Sequence, residues 1–183
     1  MIVKYENSLE DMVAFNRYHC ARSPAVKKTK FICMILVSAL AIFGALFIPP
    51  TDNVSRPVII AGAIVLAGLF SAIFNCRFAA GMDRQVRRLY NEGTNKGIFG
   101  QHELEINNDG LVERTEVNES RQSWQGVERI AETDTHAFIY VSSIMAHVIP
   151  KQSVTDGDPG AFIARAKQLW HARNAEAAGK TKA

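Results

Sequence analysis

Two apolar stretches that contain no charged residue constrain this 183-residue chain more than any other feature. They cover residues 31–48 and 58–74, and only residues 49–57, which begin and end with proline, separate them. A helix needs roughly 17–25 residues to cross a hydrocarbon core about 30 Å thick. The sequence therefore predicts a transmembrane helical hairpin over residues 31–74. The alternative is a buried hairpin of a soluble protein, which the absence of a polar face on either helix disfavours.

Basic residues flank the hairpin on its two outer sides and predict its orientation. Four precede it and four follow it: Arg22, Lys27, Lys28, Lys30, Arg77, Arg84, Arg87 and Arg88. The connecting segment carries only Arg56 and the opposing Asp52. Lys and Arg within about 15–20 residues of a span end favour the cytoplasmic side. Both termini are therefore expected in the cytoplasm, in a multi-pass membrane protein.

The segments on either side of the hairpin read as an arm and a linker. Residues 1–30 form a cytoplasmic arm with a short strand over 2–5 and a helix over 9–21. Ser8 and Asp11 have the spacing of a capping box at the start of that helix, and Ser23-Pro24 ends it. The pattern leaves open whether this helix docks on the membrane surface or on the soluble domain. Residues 75–98 continue the second helix and then form a linker.

From residue 99 the pattern becomes that of a small β-rich domain, which extends to residue 173. Alternation and turn residues predict six strands, over residues 101–107, 111–117, 120–124, 127–133, 136–142 and 145–149. A loop over 153–158 precedes a helix with Asp158 as N-cap and Pro159 as first residue. Trp124 is expected in the core, and residues 174–183 are expected to be disordered. The predicted fold class is an α+β membrane protein. It combines the transmembrane hairpin with a cytoplasmic antiparallel sheet or half-barrel of about six strands, capped by a C-terminal amphipathic helix.

This order of elements resembles the YcxB-like family of bacterial membrane proteins. The resemblance rests on the arm over residues 10–19 followed by Ser23-Pro24, the pair of spans, Asn108-Asp109-Gly110-Leu111, Trp124, residues 136–141, residues 146–151 and Phe162. It covers nearly the whole chain. It implies a pleckstrin-homology-like cytoplasmic domain anchored in the bacterial inner membrane. The family brings no agreed activity and no catalytic residues.

No motif in the sequence predicts a reaction, a cofactor or a metal. His102, His136 and His147 lie in the strand region, but nothing in the pattern places Asp134 or a serine beside them as a catalytic group. Metal-ligand spacings and a P-loop are both lacking, and the three cysteines are isolated. We therefore expect no enzyme, no catalytic, cofactor or metal residue, and no bound cofactor. A membrane-bound hydrolase that uses His136 or His147 is the alternative.

The expected function is that of a membrane-anchored cytoplasmic binding or scaffolding module near the inner leaflet. Arg77, Arg84, Arg87 and Arg88 are candidate contacts to lipid head groups, although these charges also suffice simply to set the topology. Membrane lipid is an expected partner, a protein partner is possible, and a row of glutamates in the domain disfavours nucleic acid. Small residues four apart in the spans favour packing of the hairpin on itself or homo-oligomerisation. An oligomeric pore is a further alternative, which the lack of polar lining disfavours.

Overall fold

The structure divides the chain into two compact units, one built mainly of helices and the other rich in β-strands. The computed structural model describes residues 1–180, with side chains described to residue 175. The first unit, here called the β-rich unit, comprises Met1–Phe15 and Arg87–Ala183. The second, here called the helical unit, comprises Asn16–Val86. Each unit is described by itself below.

Three helices account for most of the helical unit: α1 (Leu9–Arg22), α2 (Pro24–Phe47) and α3 (Arg56–Tyr90). The predicted break at Ser23-Pro24 is confirmed, since Ser23 is the N-cap of α2 and its Oγ accepts a hydrogen bond from the Val26 amide at 3.4 Å. Proline fits the first helical position because no intrahelical partner exists there for an amide hydrogen. The continuation of α3 to Tyr90, well past the second apolar stretch, is also confirmed.

The apolar side chains of α2 and α3 are mostly exposed. Leu40 and Phe47 of α2 are 71% and 72% exposed, and Leu66 of α3 is 66% exposed. Both helices are long and apolar enough to cross a membrane, judged by length and composition. A buried core hairpin of a soluble protein would hide these residues, so the exposure weakens that alternative.

The described part of the β-rich unit contains eight strands and one complete α-helix, besides the first half of α1 and the last turn of α3. The eight strands and the complete helix are β1 (Ile2–Asn7), β2 (Gly100–Ile106), β3 (Gly110–Thr115), β4 (Glu119–Ser123), β5 (Arg129–Glu132), β6 (His136–Tyr140), β7 (Ala146–Pro150), β8 (Val154–Asp156) and α4 (Pro159–Lys180). One antiparallel sheet has the strand order β4-β3-β2-β1-β8, and the other has the order β5-β6-β7. All six strands predicted beyond residue 99 are present. The expected single sheet of about six strands is corrected to two sheets, and β8 occupies part of the predicted loop over 153–158.

The N-terminal strand lies inside the larger sheet, and its alternating residues place one face in the core. Val3, Tyr5 and Asn7 are buried, while Lys4 and Glu6 between them are exposed. β1 pairs with β2 on one side and with β8 on the other. The beginning of the chain therefore supplies an interior strand to a sheet whose other strands come from its second half.

The hydrophobic core lies between the strands and α4. Phe162, Ile163 and Ala166 of α4 are buried in one cluster with Trp124 and with Leu104 of β2. The predicted cap of α4 is confirmed, since Asp158 Oδ1 accepts hydrogen bonds from the amides of Gly160 and Ala161 at 2.8 and 3.1 Å. The helix continues to Lys180, through much of the segment for which disorder is predicted, and residues 181–183 lie outside the described residues.

The first half of α1 docks on the β-rich unit. Met12, Val13 and Phe15 are buried, and the Phe15 ring lies 5.6 Å, between centroids, from the rings of both Phe138 and Tyr140. The sequence left open whether this helix docks on the membrane surface or on the soluble domain, and residues 9–15 pack on the strands of the β-rich unit.

Candidate functional site

The β-rich unit contains a cleft at the unpaired edges of its two sheets. β4 ends the larger sheet and β7 ends the smaller one, and residues of both strands line a cavity of about 440 Å³. The turn before β7 and the inward side of α1 complete the walls with apolar side chains, Met12, Phe15, Ile144 and Met145 among them. This cavity is called the sheet cleft below. Ligand sites are typically concave, mostly apolar and furnished with a few polar groups.

A single carboxylate at the cleft joins strands of both sheets. Glu113 of β3 lies 3.1 Å from Nδ1 of His102 on β2 and 3.0 Å from Nδ1 of His147 on β7, each histidine contacting a different carboxylate oxygen. Burial alone would raise the pKa of Glu113, but the hydrogen bonds and charges of the two histidines outweigh it and lower this pKa to about 2. Glu113 is therefore an anion that bridges the sheets.

His102 faces a hydrogen-bond acceptor at each ring nitrogen. Its Nδ1 contacts Glu113, and its Nε2 lies 3.1 Å from the carbonyl oxygen of Ile98. Both ring nitrogens of His102 are thus held by the β-rich unit. The Tyr5 ring stacks on His102 with centroids 5.4 Å apart, and its hydroxyl donates to Glu113 at 3.4 Å. Burial, followed by the charge and hydrogen bond of Glu113, raises the pKa of Tyr5 well above its usual value.

Asn7 borders the sheet cleft and carries a buried polar atom that has no partner. Its side chain is 5% exposed and lines the cavity, and among the described residues nothing donates a hydrogen bond to its buried Oδ1. Leaving such an atom unpaired costs about 1–3 kcal/mol.

His136 lies in a different place and acts as a structural link. Its Nε2 is 3.0 Å from Asp11 Oδ1, and its Nδ1 is 2.8 Å from Thr135 Oγ1, so both nitrogens are engaged. Burial would raise the pKa of Asp11, but hydrogen bonds from His136 and Ser8 lower it. The same Asp11 accepts from the Ser8 amide at 2.8 Å, as the capping box predicts. The carboxylate beside His136 thus comes from α1 and not from Asp134.

The four arginines predicted to contact lipid are divided between the two units. Arg77 and Arg84 are exposed on the part of α3 in the helical unit, and they lie seven residues, or about two turns, apart. Arg88, in the β-rich unit, is exposed. Arg87, also in that unit, is half-buried and its Nη2 lies 2.7 Å from a carboxylate oxygen of Glu10. The charge of Arg87 is therefore balanced within the protein.

Sequence reasoning missed Glu113 and Asn7 as members of this site. Their strand parity was the available signal, because Glu113 falls two residues after the buried Leu111 and Asn7 two residues after the buried Tyr5. His102 lies on the buried face of β2, together with Leu104 and Ile106. No group of three or more His, Cys, Asp or Glu able to hold a metal occurs within the described part of the chain.

Comparison with known proteins gives a family match that falls on the β-rich unit. Residues 106–164 match the model of a family described as YcxB-like protein. This range covers about a third of the chain, from the end of β2 to the first turns of α4, and it includes Glu113, His136 and His147. It confirms the resemblance over these residues. No curated protein and no solved structure matches the chain.

Proposed function

We propose that this chain is a membrane-anchored binding module whose β-rich unit captures an extended segment of a protein partner at the cytoplasmic face of a bacterial inner membrane. The observation that carries the proposal is the sheet cleft, which lies at two unpaired strand edges and is lined by apolar side chains together with His102, Glu113 and His147. The helices α2 and α3 would cross the membrane and leave both termini in the cytoplasm.

Edge strands favour an extended peptide as the occupant. The free edges of β4 and β7 offer backbone N–H and C=O groups, which an added strand satisfies. Ile144 and Met145, 67% and 61% exposed, provide apolar contacts at the rim. Anchoring in the membrane raises the effective concentration of such a site for partners at the same surface, so a weak contact suffices.

The binding proposal is tested by crosslinking in cells with the full chain. A photo-crosslinking amino acid at position 144 is expected to give one defined adduct. The variant Met145→Lys should abolish that adduct, because it adds a charge to the apolar rim. The variant Gln168→Lys adds the same charge at an exposed position of α4 and should leave the adduct intact. An adduct that survives Met145→Lys, or is lost equally in both variants, argues against the sheet cleft as the binding surface.

Membrane anchoring has its own test. Alkaline carbonate should leave the full chain in the membrane pellet, because the exposed apolar faces of α2 and α3 need hydrocarbon around them. Reporter fusions at the two ends should both report the cytoplasm. Extraction by carbonate, or reporters on opposite sides, contradicts the proposed hairpin.

A hydrolase remains the second candidate, and one observation favours it. The pairing of His147 with Glu113 resembles the carboxylate–histidine arrangement in which the second ring nitrogen acts as a base. His136 does not suit this role because both its nitrogens are engaged. Loss of turnover in His147→Ala but not in His136→Ala, with the crosslinked adduct preserved in both, would favour the hydrolase over the binding module.

The finer architectural expectations also belong to this proposal. The resemblance implies a pleckstrin-homology-like shape, and the two sheets with a terminal helix are compatible with that shape or with a half-barrel. The pore alternative receives little support, since Ser38 and Ser71 are the only hydroxyl residues in the two apolar stretches. Conductance of the full chain in planar bilayers would support the pore alternative.

A further inference from the structure

The helical unit contains a second cavity, of about 410 Å³, called the helix groove below. It lies between the end of α1, the first two turns of α2 and the part of α3 that follows the second apolar stretch. Its lining combines the apolar side chains of Val26, Phe78 and Met82 with three basic ones, Arg17, Lys27 and Lys30. No carboxylate lines the groove among the described residues. An apolar floor with a basic rim is the chemistry of an anionic amphiphile site.

Two of the three cations are available to a ligand. Arg17 is already balanced, since its Nε lies 2.9 Å from both carboxylate oxygens of Asp83. Within the described part of the chain, Lys27 and Lys30 have no carboxylate within 4.0 Å. The Lys30 Nζ lies 5.2 Å from the centroid of the Phe78 ring, which holds this ammonium over the groove. The groove thus has two uncompensated positive charges at its rim.

The groove lies at the position along the helices where lipid head groups are expected. Lys27 and Lys30 precede the first apolar stretch by four residues and one residue, which is about 6 Å and 1.5 Å of helix. Phe78 and Met82 follow the second stretch by four and eight residues, or about 6 and 12 Å. Polar head groups occupy roughly the 5–8 Å outside each face of the hydrocarbon core. A phosphate at the two lysines would leave its acyl chains beside the exposed faces of α2 and α3.

We propose that the helix groove binds the phosphodiester head group of one anionic phospholipid, held by Lys27 and Lys30. The inference relies on the membrane anchoring proposed above and is independent of the sheet cleft. It differs from the sequence prediction in its residues, because Arg77 and Arg84 do not line the groove. Basic pockets between membrane helices on the cytoplasmic side are suited to anionic lipids.

The test uses the delipidated full chain in detergent micelles, mixed with equal amounts of phosphatidylglycerol and phosphatidylcholine of matched acyl chains. Native mass spectrometry counts the lipid that stays bound. We expect a preference for phosphatidylglycerol that falls about fivefold for each lysine removed, and therefore largely disappears in Lys27→Gln/Lys30→Gln. The control Lys28→Gln removes one charge from the same helix outside the groove and should keep the preference that Lys27→Gln and Lys30→Gln each reduce.

Two further arms keep the proposal falsifiable. Ala79→Phe fills the groove without changing its charge and should reduce lipid retention even if the lysine variant fails to insert. Glycerol 3-phosphate at millimolar concentration should not displace the lipid, whereas displacement would identify a site for free phosphates. A preference that survives Lys27→Gln/Lys30→Gln, or that is lost equally in the control, overturns the proposal. If the chain leaves vesicles of these lipids on carbonate washing, the anchoring proposal fails, and this inference fails with it.

Discussion

The two units of this protein differ in how far they bury large apolar side chains. In the β-rich unit, Trp124, Phe138 and Phe162 are at most 1% exposed. In the helical unit, large apolar side chains such as Phe47 and Phe31 remain mostly exposed. Contiguous exposed apolar surface in a protein marks contact with another apolar medium. The β-rich unit is thus stabilised by its own core, whereas the helical unit depends on what surrounds it.

The polar groups follow the same division. The β-rich unit places charges at buried links between its elements, as with Glu113 between its two sheets and Asp11 between α1 and β6. The apolar stretches of the helical unit contain no charge at all, and its cations lie just beyond their ends. Substitutions should therefore have large effects on unfolding in one unit and small ones in the other.

The largest expected effect comes from the core of the β-rich unit. Trp124→Ala removes a side chain that is 1% exposed and whose Nε1 donates to the Asn107 carbonyl at 2.9 Å. Such truncations cost about 3–5 kcal/mol. Urea unfolding of the full chain in detergent micelles, monitored by hydrogen exchange in β2 and α4, should show this decrease in the free energy of unfolding. The matched control Leu66→Ala, on the exposed face of α3, should change the free energy of unfolding by less than about 1 kcal/mol. An equally large effect of Leu66→Ala would mean that protein, not lipid or detergent, covers that helix.

The next effect tests the buried link between the two sheets. Glu113→Gln removes the anion that both His102 and His147 contact, and leaves His102 buried without its charged partner. Breaking a buried ion pair costs about 3–5 kcal/mol, and we expect about 2–4 here because Glu113 is 18% exposed. The control Glu105→Gln breaks a more exposed pair with Arg114 and should cost less than about 1 kcal/mol. Equal urea midpoints for the two variants would contradict a structural role for the bridge.

The sequence was sufficient to predict the local elements, since the six strands after residue 99, the helix break at Ser23-Pro24 and the cap at Asp158 all depend on neighbouring residues. The division into two sheets was not predictable in this way. β8 has only three residues, and its register with Lys4 and Tyr5 of β1 joins positions about 150 residues apart. No periodicity is measurable over so short a strand.

The candidate site was less accessible to sequence reasoning than the fold. Glu113 and His147 are 34 residues apart, and their contact depends on how the edges of two sheets meet. Strand parity indicates that Glu113 faces inward, but it does not identify the partner. The partner of His136 is likewise an α1 residue, Asp11, and not the adjacent Asp134. Long-range partners require the tertiary structure.

Lowering the pH should destabilise mainly the β-rich unit. The pKa of Glu113 is lowered from 4.5 to about 2 in the folded state, so its contribution is complete above about pH 4.5 and is lost as the pH falls towards 2. The lowered pKa of Asp11 acts in the same direction. The Glu113 contribution is on the order of 3 kcal/mol at most. Urea midpoints of wild type and Glu113→Gln, measured between pH 5 and pH 2.5, should converge as the pH falls. A difference that stays constant across this range would contradict the assigned role.

The smallest expected effect is the loss of stability when the N-cap of a helix is removed, compared between the two units. Asp158 Oδ1 accepts two amide hydrogen bonds at the start of α4, whose first turns contribute Phe162 to the core, so Asp158→Ala should cost about 1 kcal/mol. Asp158→Asn keeps an acceptor in place and should restore most of that stability. Ser23 makes a single, longer bond of 3.4 Å at the start of α2, and Ser23→Ala should therefore change the free energy of unfolding less. Hydrogen exchange at the first turns of α4 and α2 measures both effects. A larger change at α2 would reverse the comparison, since it would mean that local capping, rather than the surrounding apolar medium, stabilises the helical unit.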